Sequence, residues 1–467
     1  MVQPVDLPRN EAGISAALGE LRQQFGARVQ SGRAIREQHG HTTTWIRNQP
    51  PDAVLFPQTT DEVAQILRIC ANHKAPVIPF GVGTSLEGHV NAAAGGICLN
   101  MSEMNRVLAV HAEDLDCVVQ PGVTREDLNT HLRDQGLFFP IDPGANATLG
   151  GMAATRASGT NAVRYGTMKD NVIALEAVMA DGAVIRTAQR ARKSAAGYDL
   201  TRLLIGSEGT LGIITEITLR LHGIPGAIMS ARCSFPTVDA ACQAVMTTIQ
   251  YGIPVARIEL LDALQVRACN AYSKLDLPEA PLLLLEFHGS DAGVAEQSET
   301  FAEIAEEFGG SGFQATASPE ERAALWRARH DAYWAALQLR PGARGLSTDV
   351  CVPVSQLAAC VAATQERLQK DGFVAPIVGH VGDGNFHTLL LIDADNPEEV
   401  ARADAFIGWL NDLAISMGGT CTGEHGIGQG KRPYLERELG SATRYMKAIK
   451  AALDPDNILN PGKVLPD

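Results

Sequence analysis

The chain has 467 residues, enough for two or three domains that each bury their own core. Its formal net charge of −14, with no basic block, argues against nucleic acid as a partner. Nine cysteines without a Cys-x-x-Cys pair fit a reducing compartment rather than a disulfide framework. No apolar run is long enough to span a membrane, and residues 1–4 carry no secretory signal. We therefore expect a cytoplasmic protein, either free or peripheral to a membrane.

The first predicted elements are helices and a strand. An N-terminal helix has its apolar positions at Ile14, Leu18, Leu21 and Phe25. A helical period over residues 61–74 leads into a strand at 77–80. The Gly-Val-Gly-Thr-Ser loop at 81–85 follows directly, and its backbone N–H groups could point at an anion. This loop predicts a phosphate site, although it matches neither a Walker loop nor a Rossmann unit.

Further loops of small residues follow in the same half of the chain. They cover residues 142–151, 157–166 and 206–213, and the last leads into an alternating strand at 214–221. Long loops within a compact domain usually wrap a ligand. We therefore expect an extended cofactor that lies against backbone in this half.

Helices and strands are mixed in the middle of the chain, which predicts an α+β domain with strands at 253–260 and 282–288. One helix begins at Ser318-Pro319, with Glu321 placed to cap it.

Two later helices are predicted near the C-terminus. A helix over 397–417 has Asn396 as its N-cap, Pro397 at its first position and Glu399 to close a capping box. A closing helix covers roughly residues 433–453.

Two histidine clusters carry the predicted chemistry. Residues 380–387, His-Val-Gly-Asp-Gly-Asn-Phe-His, join two apolar runs and predict a β-hairpin. With the turn at 382–385, His380 and His387 would be directly opposed, with Cβ atoms about 5 Å apart. Two imidazoles so placed could bind one metal ion, and Glu424 could complete a facial set. The alternative is a structural hairpin whose histidines face solvent.

The glycine loops and the segment 460–463 resemble the FAD-binding elements of the vanillyl-alcohol oxidase/p-cresol methylhydroxylase family. With both histidine clusters, the chain is similar to the 2-hydroxy-acid branch of that family. Within the branch, residues 326–330 and 347–353 look most like the cytochrome-type D-lactate dehydrogenases. The likeness runs from about residue 51 to the C-terminus.

The resemblance implies an α+β fold, in which an FAD-binding domain of this family's type is joined to a cap, or substrate, domain with an antiparallel sheet. We expect an N-terminal helical segment at 1–50, an FAD-binding domain at 51–224, the cap domain at 225–423, and a C-terminal segment at 424–467 that returns to the FAD domain.

The resemblance also implies a set of FAD contacts. They are Pro79, Gly81, Val82, Gly83, Thr84, Ser85, Pro143, Gly144, Thr148, Gly150, Gly151, Ser158, Gly159, Tyr165, Glu208, Gly209, Gly212, Ile213 and Asn460. The phosphate loop contains neither His nor Cys, so we expect non-covalent FAD, with the nearby His89 as the alternative attachment point.

The implied metal ligands are His380, His387 and Glu424, holding one divalent ion: Zn, Mn, Co or Fe. His425 is the predicted general base, because imidazole titrates near neutral pH. Arg329 is the predicted clamp for the substrate carboxylate. In the competing assignment His425 is the ligand and Glu424 the base, as in a zincin-like hydrolase, but the order of these residues argues against a zincin motif.

Ser347 stands where hydroxyglutarate-type relatives carry a lysine, which favours a short or apolar 2-hydroxy acid. We therefore expect FAD-dependent oxidation of a D-2-hydroxy acid, D-lactate to pyruvate, with D-2-hydroxyglutarate and glycolate as alternative substrates. A non-catalytic flavin-binding subunit of a redox complex is the alternative of another class.

The expected partners are the acid and an external acceptor: a cytochrome, a quinone or an electron-transfer flavoprotein. The oligomeric state stays open, with a homodimer as one option.

Overall fold

A computed structural model describes residues 5–41 and 46–466, which form two compact units. The terminal unit comprises residues 5–158 (without 42–45), 166–224 and 424–466, and the middle unit comprises residues 159–165 and 225–423. The expected lack of a secretory signal at residues 1–4 lies outside the described residues. Within the described ranges, no helix is long and apolar enough to cross a membrane.

The strands of the terminal unit form a parallel sheet and an antiparallel sheet. The parallel sheet has the order Ala53–Leu55, Ile97–Asn100, Val77–Phe80. The antiparallel sheet has the order Val107–His111, Asp116–Val119, Ile213–Arg220, Val172–Val178, Val184–Arg186. A short antiparallel pair joins Leu137–Phe138 to His222–Gly223.

The helices of the terminal unit include the predicted helix that precedes the phosphate loop. They are Glu11–Phe25, Arg33–His39, Thr60–His73, Arg125–Leu132, Leu149–Thr155, Met168–Asn171, Leu200–Leu204, Arg432–Leu439 and Ala442–Leu453. Thr60–His73 begins where the Thr59 hydroxyl accepts a hydrogen bond from the Glu62 N–H, and it ends at Lys74, which has φ 50°. Its apolar face is buried, which confirms the period read from the sequence.

The predicted antiparallel sheet of the middle unit is confirmed. Its strands have the order Ser311–Thr316, Ala227–Ser234, Leu282–Gly289, Val255–Leu261, Ile377–Gly379, Asn385–Ile392, Arg344–Ser347, and Val350–Cys351 also pairs with Asn385–Ile392. The helices of this unit are Ala162–Tyr165, Val238–Gln250, Ala263–Ser273, Asp291–Glu307, Pro319–His330, Ala332–Leu337, Val354–Asp371 and Pro397–Ser416.

Two capping details differ from the predictions. Asn396 caps Pro397–Ser416 as expected, but the Glu399 carboxylate binds Arg340 instead of closing a capping box. Ser318 caps Pro319–His330, whereas the Glu321 carboxylate accepts a hydrogen bond from the Thr316 hydroxyl.

The prediction of one continuous closing helix is wrong. Two helices, Arg432–Leu439 and Ala442–Leu453, replace it, because the chain breaks at Gly440. Gly440 has φ 54°, a left-handed conformation that glycine adopts readily and that ends a helix.

Candidate functional site

A tight glycine loop follows the strand Val77–Phe80 in the terminal unit. Gly83 has φ 72°, and a Cβ there would lie 2.7 Å from Cζ of Phe80. A Cβ on Gly81 would lie 2.3 Å from Oγ1 of Thr148. Ser85 Oγ is buried without a hydrogen-bond partner among the described residues. The loop therefore needs glycine and offers an unsatisfied hydroxyl to a bound polar group.

The second predicted cofactor loop leads to the helix Leu149–Thr155 of the same unit. Pro143 is half-buried and Gly144 is exposed in the loop, whereas Gly150 is buried in the helix. A Cβ on Gly150 would lie 2.4 Å from Cβ of Pro121, so glycine is what allows the helix to pack so closely there.

Two of the predicted FAD contacts, Gly159 and Tyr165, belong to the middle unit. The Tyr165 hydroxyl lies 2.7 Å from Nδ1 of His288, and Nε2 of His288 lies 2.9 Å from the Glu286 carboxylate. Burial opposes the charge on Glu286, but His288 and the nearby Arg257 lower the pKa of that carboxyl to about 2. Tyr165 is thus the outer member of a buried hydrogen-bonded chain.

Glu208 has a structural task that the sequence did not reveal. Its buried carboxylate accepts hydrogen bonds from the backbone N–H groups of Ile427 (2.7 Å) and Gly428 (2.8 Å). His89 Nε2 lies 3.2 Å from the same carboxylate. Burial opposes the charge, yet His89 and the two N–H groups hold the pKa of Glu208 below its usual value. The Glu208 side chain thus holds the backbone at residues 427–428 in place.

Asn460, in the last segment of the chain, is hydrogen-bonded to both Glu208 and His89. Its Nδ2 donates to the backbone oxygens of Glu208 (2.8 Å) and His89 (3.2 Å). Its Oδ1 is buried and has no hydrogen-bond partner in the described part of the chain. Asn460 and Ser85 therefore both present buried oxygens that a ligand could satisfy.

The loop that carries Glu424 and His425 is fixed by close packing within the terminal unit. A Cβ on Gly426 would lie 2.7 Å from Oε1 of Glu208, and a Cβ on Gly428 would lie 2.2 Å from the backbone oxygen of Glu87. His425 Nδ1 lies 3.8 Å from Oε1 of Glu87. Both glycines have positive φ, so this loop shape depends on them.

The predicted register of the histidine hairpin is wrong. The strand Ile377–Gly379 ends before His380, and Val381–Asp383 forms a 3₁₀ turn. His387 pairs with Val378 rather than with His380. This 3₁₀ turn ends at Gly384, which has φ 79°. The turn places His380 outside the paired part of the sheet.

The structure nevertheless brings the two imidazoles together. Their ring centroids lie 5.5 Å apart, and one nitrogen from each ring lies within 4.8 Å of the other. His380 Nδ1 lies 2.6 Å from Oε1 of Glu259, and His387 Nδ1 lies 2.9 Å from the backbone oxygen of Thr348. Both partners are acceptors, so each Nδ1 carries a proton, and Nε2 is the atom of each ring that could bind a metal.

Asp349 is a second acid beside this pair that the sequence analysis gave no role. It is buried, and its Oδ1 lies 3.8 Å from Nδ1 of His387. It accepts hydrogen bonds from Asn385 Nδ2 (2.8 Å) and Thr422 Oγ1 (3.0 Å). These contacts fix the turn next to His387.

Glu259 links His380 to the predicted substrate clamp. It is fully buried on the strand Val255–Leu261, and its Oε2 accepts a hydrogen bond from Arg329 Nε at 2.7 Å. Burial opposes its charge, but His380 and Arg329 hold the pKa of Glu259 below its usual value. Because Nε of Arg329 donates this hydrogen bond, the bond does not involve the two Nη groups.

Ser347 lies on the histidine face of the sheet. It pairs with Leu389, two residues along the strand from His387, and side chains two residues apart share a face. Ser347 is exposed, and its hydroxyl carries no charge.

Glu259 and Glu208 are the residues that sequence reasoning missed as organisers of the site. A single acid within the apolar run Val-Ala-Arg-Ile-Glu-Leu-Leu was the available signal for Glu259, because a buried carboxylate needs a partner. The left-handed φ of Glu208, 54°, has no sequence signal beyond its neighbouring glycines.

Comparison with protein families matches residues 51–188 to an FAD binding domain and residues 224–464 to the C-terminal domain of FAD linked oxidases. A protein of Danio rerio named probable D-lactate dehydrogenase, mitochondrial, is 52% identical over 97% of this chain and 92% of its own. A protein of Arabidopsis thaliana named D-lactate dehydrogenase (cytochrome), mitochondrial, is 49% identical over 89% of this chain and 74% of its own.

The fold is also found in solved structures. A crystal structure of p-cresol methylhydroxylase with bound substrate superimposes with a TM-score of 0.75, covering 98% of each chain at 18% identity.

Proposed function

We propose, since the chain belongs to the FAD-linked oxidases of the vanillyl-alcohol oxidase/p-cresol methylhydroxylase family, that it oxidises D-lactate to pyruvate. The observation that carries the proposal is the pair His380 and His387, whose ring centroids lie 5.5 Å apart and whose Nδ1 atoms are each bound to an acceptor. The relatives whose names state D-lactate dehydrogenase activity support this choice of substrate.

The terminal unit fits FAD. The glycine loop at 81–85 leaves no room for side chains at Gly81 and Gly83, and the buried oxygens of Ser85 and Asn460 have no partner in the described chain. An extended cofactor with phosphates, hydroxyls and ring N–H groups would satisfy them. Bound FAD would supply the hydride acceptor.

The imidazole pair fits a divalent metal. Two imidazole nitrogens could hold Zn, Mn, Co or Fe, and the ligand type alone does not select one of these ions. A Cβ on Gly423 would lie 2.1 Å from Nδ2 of Asn385 and 2.9 Å from Oδ1 of Asp349, so its backbone lies beside the start of the strand that carries His387. Glu424 is the next residue, which supports it as the third ligand. The metal would supply positive charge to the substrate hydroxyl and carboxylate.

The remaining residues would bind the acid and move its proton. Arg329 would hold the carboxylate with its Nη groups while Glu259 retains its Nε. His425 would accept the hydroxyl proton, and Glu424 is the competing base if His425 binds the metal. Ser347 offers no second cation, which favours a monocarboxylate. We propose a cytochrome-type protein as the electron acceptor, in line with the name of the Arabidopsis relative.

Anaerobic titration of the purified flavoprotein tests the proposal. D-Lactate should bleach the flavin absorbance, whereas L-lactate, glycolate and D-2-hydroxyglutarate should reduce it more slowly or not at all. Reduction by D-2-hydroxyglutarate alone would refute the argument from Ser347, and reduction by glycolate alone would refute D-lactate as the substrate. A flavin that none of these acids bleaches would identify a non-catalytic subunit instead.

A further inference from the structure

We propose that Glu259 is a positioning residue that holds His380 and Arg329 in working geometry at the same time, through one oxygen each. This inference rests on the proposed function, in which His380 binds metal and Arg329 binds the substrate carboxylate. It adds to that function a buried group that touches neither ligand and yet sets both binding constants.

The division of the carboxylate is the first argument. Oε1 lies 2.6 Å from Nδ1 of His380, and Oε2 lies 2.7 Å from Nε of Arg329. An ionised carboxylate only accepts hydrogen bonds, so Nδ1 of His380 carries a proton and cannot bind a metal. Nε2 is then the nitrogen that can bind a cation, and the ring orientation is fixed.

The setting of Glu259 is the second argument. Its strand neighbours Ile258 and Leu260 are buried and apolar, and the Glu259 carboxylate is 0% exposed. Replacing a buried ion pair by apolar residues is often neutral or stabilising. Stability alone therefore gives little reason for a charge here, whereas orientation of two functional groups gives a specific one.

The sharing of one carboxylate by two partners makes a prediction that a purely structural residue would not. The amide of a Glu259→Gln variant has one acceptor and one donor end. It can satisfy His380 or Arg329, but its NH₂ group then faces a donor N–H at the other partner. Metal binding and substrate binding should therefore both weaken.

The experiment compares Glu259→Gln and Glu259→Asp with the native flavoprotein. Affinity for Zn²⁺ and Mn²⁺ is measured by competition with a chromophoric chelator, and KM and kcat for D-lactate are measured separately. Glu259→Gln should weaken metal affinity by about 10–100-fold, the usual effect of removing a partner of a ligand histidine. KM should rise, while FAD content stays unchanged.

Glu399→Gln is the matched control. Glu399 is also a buried carboxylate of the middle unit, and its partner is the guanidinium of Arg340 rather than a histidine. This variant should alter stability without altering metal affinity or KM. If Glu399→Gln lowers metal affinity or raises KM as much as Glu259→Gln does, the Glu259 result is a general consequence of lost stability. That outcome would overturn the proposal.

The outcomes separate this inference from the proposed function. If the native protein binds neither metal, the proposed metal site fails, and the rise in KM alone decides whether Glu259 positions Arg329. Unchanged metal affinity and KM in Glu259→Gln would overturn the positioning role while leaving the proposed function intact. If Glu259→Gln does not fold, Glu259→Asp decides: its shorter side chain cannot reach both partners, so native values in it would refute the proposal.

Discussion

Two buried glutamates, one in each unit, organise candidate functional residues in different ways. In the middle unit, the Glu259 carboxylate binds side chains, the imidazole of His380 and the guanidinium of Arg329. In the terminal unit, the Glu208 carboxylate binds the main chain, the N–H groups of Ile427 and Gly428.

The difference concerns what each carboxylate controls. Glu259 sets the orientation and proton position of individual functional groups, whereas Glu208 sets the path of a whole loop, the one that carries His425. A change at Glu259 should therefore alter binding constants, and a change at Glu208 should alter loop order. Four experiments test or sharpen this distinction.

The largest effect should distinguish the histidines of the two regions. His387→Ala should lose divalent metal and activity but keep FAD, because it removes an Nε2 ligand. His425→Ala should keep both FAD and metal, yet reduce the flavin about 10²–10⁴-fold more slowly, since it removes a positioned general base. Metal stoichiometry and stopped-flow flavin reduction on the same samples provide the test. Loss of metal from His425→Ala would make His425 a ligand and pass the base role to Glu424.

Glu208→Gln should loosen the His425 loop. The two N–H groups now bond to different carboxylate oxygens, and an amide can accept from only one of them. We expect a loss of about 3 kcal/mol in unfolding free energy and faster hydrogen exchange at Ile427 and Gly428.

The control for that loop experiment is Glu216→Gln, which removes a surface ion pair with Arg186 and should cost less than about 1 kcal/mol. Unchanged hydrogen exchange in Glu208→Gln would show that the loop holds its shape without the carboxylate.

A third buried glutamate, Glu286, provides a pH-dependent comparison. Its pKa is about 2 in the folded protein, against a usual value of 4.5. Its ionised form therefore contributes about 3 kcal/mol of stability above pH 4.5, and this contribution is lost as the pH falls toward 2. The native protein should exceed Glu286→Gln in urea-unfolding midpoint at pH 7, and the gap should shrink at pH 3. A gap that does not depend on pH would contradict the assigned pKa.

The smallest effect should come from Ser85→Ala. Loss of one hydrogen bond is worth about 0.5–1.5 kcal/mol, so FAD should bind less than about tenfold more weakly. Flavin titration of the apoprotein measures this change, with the exposed Ser31→Ala as control. Acid precipitation of either sample should release the flavin, and flavin that stays in the pellet would refute non-covalent binding.

Local patterns predicted much of the fold. The helix Thr60–His73, the strand Val77–Phe80 and the cap at Asn396 all follow from signals within a few residues. The break at Gly440 also had a local signal, a glycine followed by serine, but the apolar period continued across it.

The site was predictable in its residue types but not in its internal support. The clustering of His380 with His387 could be predicted from one short segment. The pairing register of the two strands could not, because a 3₁₀ turn follows His380 before the second strand begins. Glu259 lies 121 residues from His380 in sequence, and Glu208 lies 219 residues from Ile427. A pairing over such distances depends on the assembled sheet and has no periodicity to reveal it.

The contacts of Glu208 have a consequence for biosynthesis. A ribosome delivers Glu208 219 residues before Ile427 and 252 residues before Asn460. Until those residues emerge, the carboxylate has only water and His89 as partners. Burying a charged group without further hydrogen-bond donors is unfavourable. Glu208 therefore acquires these partners only after residue 460 has been synthesised, so this part of the terminal unit completes its hydrogen bonds when nearly the whole chain has been translated.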